Sequence, residues 1–113
     1  MRWYERIIQA HTAVEGAKVS HYRRLNNTRY FVWQEEGAGD FEAGNRHAEK
    51  VMTGVTEFFT LKEFDPLIDA IEEAYDAAGI AWALDDVTFE DETGLIHYTW
   101  RWSVHDGPEE NNG

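Results

Sequence analysis

"AWALDDVTFEDETGLIHYTWRW", residues 81–102, is the stretch on which the fold turns. In its second half Ile96, Tyr98, Trp100 and Trp102 take every second position, and Val104 continues the series. His97, Thr99, Arg101 and Ser103 fill the places between. Successive side chains of a strand point to opposite faces, so this alternation predicts a β-strand with one large aromatic face and one polar face. In the first half Trp82 and Leu84 share one parity while Val87 and Phe89 share the other. One extra residue at Asp85-Asp86 would return all four to the same face, which predicts a β-bulge there. "DETG", residues 91–94, joins the halves into a hairpin.

Upstream, Asp65 and Pro66 have the chemistry of a helix start. Leu67, Ile68, Ile71, Tyr75 and Ala78 then form an apolar stripe, Glu72, Glu73 and Asp76 a wet side, and Gly79 a stop. The spacing predicts a helix over 65–78 lying across the aromatic face. Trp3, Tyr4, Ile7, Ile8 and His11 predict a second amphipathic helix over 2–14, ended by Gly16. "KVSHYRRL" and "TRYFVWQEE" read as two strands forming a hairpin at Asn26-Asn27, and residues 51–61 as a further strand. Residues 37–50, with three glycines and no periodicity, read as a long loop. The expected class is therefore α+β in the order α-β-β-β-α-β-β. Four to five antiparallel strands carry both helices packed on one face. Residues 1–106 form a single domain, and 107–113 a polar C-terminal tail.

Composition narrows the function. The chain has 113 residues, 42% of them hydrophobic and 14% aromatic, which is too apolar for disorder. No apolar run reaches the roughly 18–20 residues of a membrane span, and "MRWYERIIQA" lacks the apolar region of a signal peptide. There is no cysteine, which excludes disulfides and thiolate chemistry. The sequon at Asn26 is then a chance match. Net charge is −12, adverse to a phosphate backbone. It is also split: residues 1–34 carry +4 and residues 35–113 carry −16.

Catalytic patterns are missing. The separations of His11, His21, His47, His97 and His105 fit neither a helical pair nor an H-E-x-x-H motif. His47-Ala48-Glu49 has the H-x-E of zinc deaminases without the cysteines they need. His97, on the polar face of its strand, is the one histidine worth following. The carboxylates around residues 85–92 lack the spacing of a calcium loop, and Glu35-Glu36 point to opposite faces of a strand. No cofactor, no metal and no enzymatic activity are expected. The aromatic stripe could be core, subunit interface or a sugar-stacking platform; a patch that large is seldom exposed on a monomer, which favours the first two.

The stretch "VTEFFTLKEFDPLIDAIEEAYDAAGIAWALDDVTFEDETGLIHYTWRW", residues 55–102, together with "RYFVWQEEG", residues 29–37, resembles the small tail-completion, or tail-terminator, proteins of long-tailed phages and prophages. The likeness spans about residues 22–104. It implies a cofactor-free subunit of a ring, usually hexameric, that caps the tail tube and docks it to the head connector. It also implies a place in the virion tail after synthesis in the bacterial cytoplasm. Such a ring needs two different patches that meet head to tail. The charge split nominates Arg23, Arg24 and Arg29 for one, and Asp85, Asp86, Asp91 and Glu92 for the other. Partners would be further copies of the chain, the tube and the connector, with no membrane and no specific nucleic acid. The rival readings are a small ligand-binding or enzymatic α+β domain, and a nucleic-acid accessory protein using the three arginines.

Overall fold

A computed structural model describes residues 1–39 and 50–106. Helix α1 spans Trp3–Thr12 and α2 spans Leu67–Ala77. The strands are β1 (Lys18–His21), β2 (Arg29–Gly39), β3 (Lys50–Thr60), β4 (Ala81–Phe89) and β5 (Ile96–Asp106). They form one sheet in the order β1-β2-β3-β5-β4, and the class is α+β in the expected element order.

One pairing differs from expectation. β1 does not form a hairpin with β2; the two run parallel, Lys18 beside Tyr30 and His21 beside Trp33. The sheet is mixed, with four antiparallel strands and a parallel edge. Parallel neighbours usually need a long crossover, but β1 is so short that residues 22–28 suffice to carry the chain back. Tyr22, in a left-handed conformation at φ 77°, turns the chain as β1 ends. The Asn27 Oδ1 then accepts the Arg29 N–H at 3.0 Å and launches β2. Part of the expected 37–50 loop is ladder as well, since Gly37, Ala38 and Gly39 pair with Thr53, Met52 and Val51. The remainder of that loop, with His47, and the tail 107–113 lie outside the described residues.

The expected hairpin and bulge are present. β4 pairs with β5 from Ala81–Ser103 to Phe89–Ile96, and the register shifts between Leu84 and Asp86. Trp82, Leu84, Val87 and Phe89 thereby share the face of Trp102, Trp100, Tyr98 and Ile96. Both helices pack on that face. Ile7 and Ala10 of α1, Val14 just past its end, and Leu67, Ile71 and Tyr75 of α2 join Phe31, Trp33, Phe58, Trp100, Trp102 and Val104 in one core. Trp100 is fully buried and donates its indole N–H to Glu72 at 2.9 Å. Beside it the Trp102 ring lies so close over Gly54 that a Cβ there would overlap both the ring and the Gln34 carbonyl.

Two polar devices sit inside this core. His11 is fully buried, with Nδ1–H donating to the Ile7 carbonyl at 2.8 Å. Its Nε2 is therefore an acceptor, 3.1 Å from each of the Thr56 and Tyr75 hydroxyls. Thr56 in turn accepts the Trp102 indole N–H. Burial pulls the His11 pKa down to about 4, against the weaker opposing effect of its bond to Ile7.

The second device is Asp65. Its carboxylate takes Arg29 in a bidentate grip at 2.9 and 2.6 Å, the Thr60 hydroxyl at 2.7 Å and the Leu67 N–H at 2.9 Å. Burial pushes the Asp65 carboxyl up, but the bonds from Arg29, Leu67 and Thr60 outweigh it and hold it below the usual range.

Three outcomes are expected. Trp100→Ala should cost about 3–5 kcal/mol, as for a large aromatic removed from a packed core, read by denaturant unfolding. Arg29→Met would strand the Asp65 carboxylate, whose side chain is 0% exposed. Because Arg29 itself is 36% exposed, water can partly replace it. The loss should exceed about 1 kcal/mol yet fall short of the 3–5 typical of fully buried pairs. For His11, the unfolded chain takes up a proton near pH 6.5 that the folded chain refuses until about pH 4. Stability should therefore be intact above pH 6.5 and fall by about 3 kcal/mol on acidification through that window. His11→Gln, which cannot titrate, should lack that fall in urea unfolding at stepped pH, leaving only the more acidic decline from carboxylates such as Asp65.

Candidate interaction surface

The nominated arginines have three different fates. Arg29 is committed to Asp65 of its own chain and also reaches the Gly16 carbonyl at 3.5 Å. Its guanidinium is thus engaged within the fold, with 36% of the side chain still exposed. Arg24 lies 4.5 Å over the Phe59 ring and 3.8 Å from the Glu90 carboxylate. Arg23 has no ion-pair partner among the described residues; its carbonyl accepts the Ser20 hydroxyl. On the acidic side, Asp85 is 3.5 Å from Arg101, which also donates to Glu36 at 2.9 Å. Asp86, Asp91 and Glu92 have no ion-pair partner among the described residues.

The Arg24–Glu90 contact changes the geometry of the expected interface. The basic β1–β2 connection and the acidic β4–β5 turn are neighbours within one chain, at one end of the sheet face that the helices leave open. Between them is a cleft of about 370 Å³ lined by Arg24, Leu25, Tyr30, Glu90, Thr93 and Leu95. Through Tyr30, Leu25 and Leu95 it adjoins a second small core of Tyr30, Val32 and Phe59.

His97 belongs to this cluster. Its ring stacks on Phe59 at 4.3 Å, and Phe59 stacks on Tyr30 at 4.9 Å. Nε2 is 3.1 Å from a Glu57 oxygen and Nδ1 is 3.9 Å from Glu90. Nε2 is buried without a directed hydrogen bond, so Glu57 contacts it electrostatically rather than along an N–H axis. The ring is packed and flanked by charge, with no nucleophile beside it. Among the described residues no group of three or more His, Asp or Glu is placed to hold a metal ion.

A further cluster escaped the sequence reading. His21 is stacked between Tyr22 and Trp33, each at 3.8 Å, and bonds Glu35 at 2.8 Å, while the Tyr22 hydroxyl donates to the other Glu35 oxygen. Burial pushes the Glu35 carboxyl up, and the Tyr22 and His21 bonds more than reverse it. Only the parallel pairing sets His21 beside Trp33 and within reach of Glu35, and nothing local in the sequence signals it.

A row of exposed apolar side chains lies elsewhere among the described residues. β4 is an edge strand, and on its helix-side face Leu84, Val87 and Phe89 are 44%, 47% and 61% exposed. α2 reaches only the first turn of this strand, where Trp82 donates to Asp76 at 2.8 Å. Phe64 is 84% exposed in the β3–α2 connection, at the end of the sheet where Phe89 lies. It has a left-handed backbone at φ 55°. An apolar row of this kind on a long, open edge marks a contact surface or an aggregation hazard. Asp85 and Asp86 sit at the bulge in its middle.

No protein-family model matches this sequence, and neither does any curated protein.

Proposed function

We propose that this chain is a structural subunit that assembles with its own copies, in the manner of the tail-terminator proteins it resembles. Its product would be a ring that caps a phage tail tube and presents a docking surface to the head connector. The observation that carries the reading is β4: a nine-residue edge strand, exposed almost throughout, with an apolar row on one side. The domain does not need that surface, because the aromatic stripe of β5 is already covered by α2 and α1. A strand kept open on an otherwise finished core suits a subunit whose final burial happens on assembly.

The rival readings draw less support. Phosphate binding uses several free cations along one face, whereas Arg29 and Arg24 are tied within the chain and, among the described residues, Arg23 alone of the three lacks an ion pair. A ligand-binding domain would use a cleft such as that beside Arg24, where the guanidinium is already held by Phe59 and Glu90.

Mass measurement across concentration tests the reading. By sedimentation equilibrium, the weight-average mass should rise above 13.1 kDa with concentration and level off at a closed multiple, visible as rings in negative stain. A mass fixed at 13.1 kDa up to about 1 mM would overturn it, since association would then be weaker than about 4 kcal/mol.

A further inference from the structure

The two free edges of the sheet run in opposite senses. β1 is parallel to β2, and each later step across the sheet, β2 to β3, β3 to β5 and β5 to β4, is antiparallel. Three reversals leave β4 opposed to β1, about 19 Å away across four strand spacings. A second copy set alongside in the same orientation, helices on the same side, would therefore bring its β4 antiparallel to the first copy's β1. That is the stronger pairing sense.

Among the described residues no strand covers the outer side of β1. The Tyr22 N–H bonds the Trp33 carbonyl, so the alternation of the ladder points the N–H and C=O of Val19 and His21 outward. Lengths match too. β1 has four residues, and the bulge divides β4 into 81–84 and 86–89, four residues on either side. The 86–89 half carries Val87 and Phe89, the more exposed part of the apolar row, while Trp82 in the other half is held by Asp76. In a continued sheet Val19 and His21 share the face of Val87 and Phe89, because Val19 pairs with Phe31 and His21 with Trp33 on the helix side.

Charge selects between the possible partners. The β4 edge presents Asp85 and Asp86; among the described residues their one ion pair is that of Asp85 with Arg101, which is shared with Glu36. Two β4 edges related by a two-fold axis would also run antiparallel. In full overlap, however, that axis falls at Asp85, the midpoint of residues 81–89. Carboxylates would then face carboxylates, which costs stability. The β1 edge carries Lys18 and, just past the strand, Arg23, neither with an ion-pair partner among the described residues. Its carboxylate, Glu35, is bonded to His21 and Tyr22.

We infer that copies of this chain join through the 86–89 half of β4 on one subunit and β1 of the next, in a continuous antiparallel sheet. In the register that sets Val19 beside Phe89 and His21 beside Val87, Arg23 comes opposite the Asp85-Asp86 bulge and Lys18 opposite Glu90. The contact is heterologous, so it propagates head to tail and closes into a ring if the step rotates. The inference rests on the self-assembly proposed above and assigns its surface.

Two variants test it, each changing only exposed side chains. One is Val87→Lys with Phe89→Lys, blocking the β4 edge; the other is Lys18→Glu with Arg23→Glu, blocking the β1 edge. Circular dichroism and unchanged unfolding midpoints establish that both fold. Each alone should assemble at least tenfold more weakly than the parent chain at low salt, where charge contacts are strongest. Mixed in equal amounts they should form a dimer and stop there, because the one productive junction joins an intact β1 to an intact β4. Dimers of the β1-blocked variant alone would mean two-fold β4 pairing and overturn the inference. Assembly unchanged in both, or no dimer in the mixture, would overturn it as well. Both results leave the ring itself standing if the parent chain still assembles. A parent chain that stays monomeric removes the ring and the junction together.

Discussion

Asp65 is the point at which the elements of this domain are tied together. Its single carboxylate receives hydrogen bonds from the first residue of β2, the last of β3 and the first of α2. Through Arg29 the link extends to the carbonyl of Gly16, between α1 and β1. A fully buried carboxylate is costly unless every oxygen lone pair is engaged. That condition is met only when all of these segments converge. The placement of α2 over the sheet, and so the covering of Trp100 and Trp102, depends on this anchor.

From that anchor the sheet acquires two unequal faces. The helix side holds the large aromatic core, with His11, Thr56, Tyr75 and Trp102 bonded to one another inside it. Such a network is stable when every polar atom has a partner, and it orients the rings that carry it. The other face has its own small cluster, in which Phe59 is layered between Tyr30, His97 and the Arg24 guanidinium. This cluster holds the β1–β2 connection against the β4–β5 turn. It also accounts for Arg24 and Glu90 locally, leaving fewer charges for contacts between molecules.

Neither edge of the sheet is covered by another strand of the described chain. The short β1 edge is bordered by cations and the long β4 edge by acids at a bulge. Natural sheets blunt their edges with bulges and charge to prevent indiscriminate pairing. Here the same devices leave one edge of each sign, and the charge that repels a like edge is the one that admits the opposite edge.

The elements themselves were legible in the sequence. Alternation at 96–104 marked β5, the parity switch at Asp85-Asp86 marked the bulge, and Asp65, Pro66 and Gly79 bracketed α2. Each is a local signal, set by side-chain period or by the backbone preference of one or two residues. The sense of β1 was not legible, because parallel and antiparallel neighbours show the same alternation and Asn26-Asn27 suits a hairpin. The partners of the arginines were not legible either. Arg29 and Asp65, or Arg24 and Glu90, are far apart in the chain, and net charge by segment cannot tell an internal pair from a free patch. The sequence by itself determined where the helices and strands lie and which face of each is apolar, since those follow from period, though not that β1 ends at His21 or that β2 runs on to Gly39. Only the tertiary structure decided which strand lies beside which and which charges are already spent, because both depend on where a turn such as that at Tyr22 returns the chain.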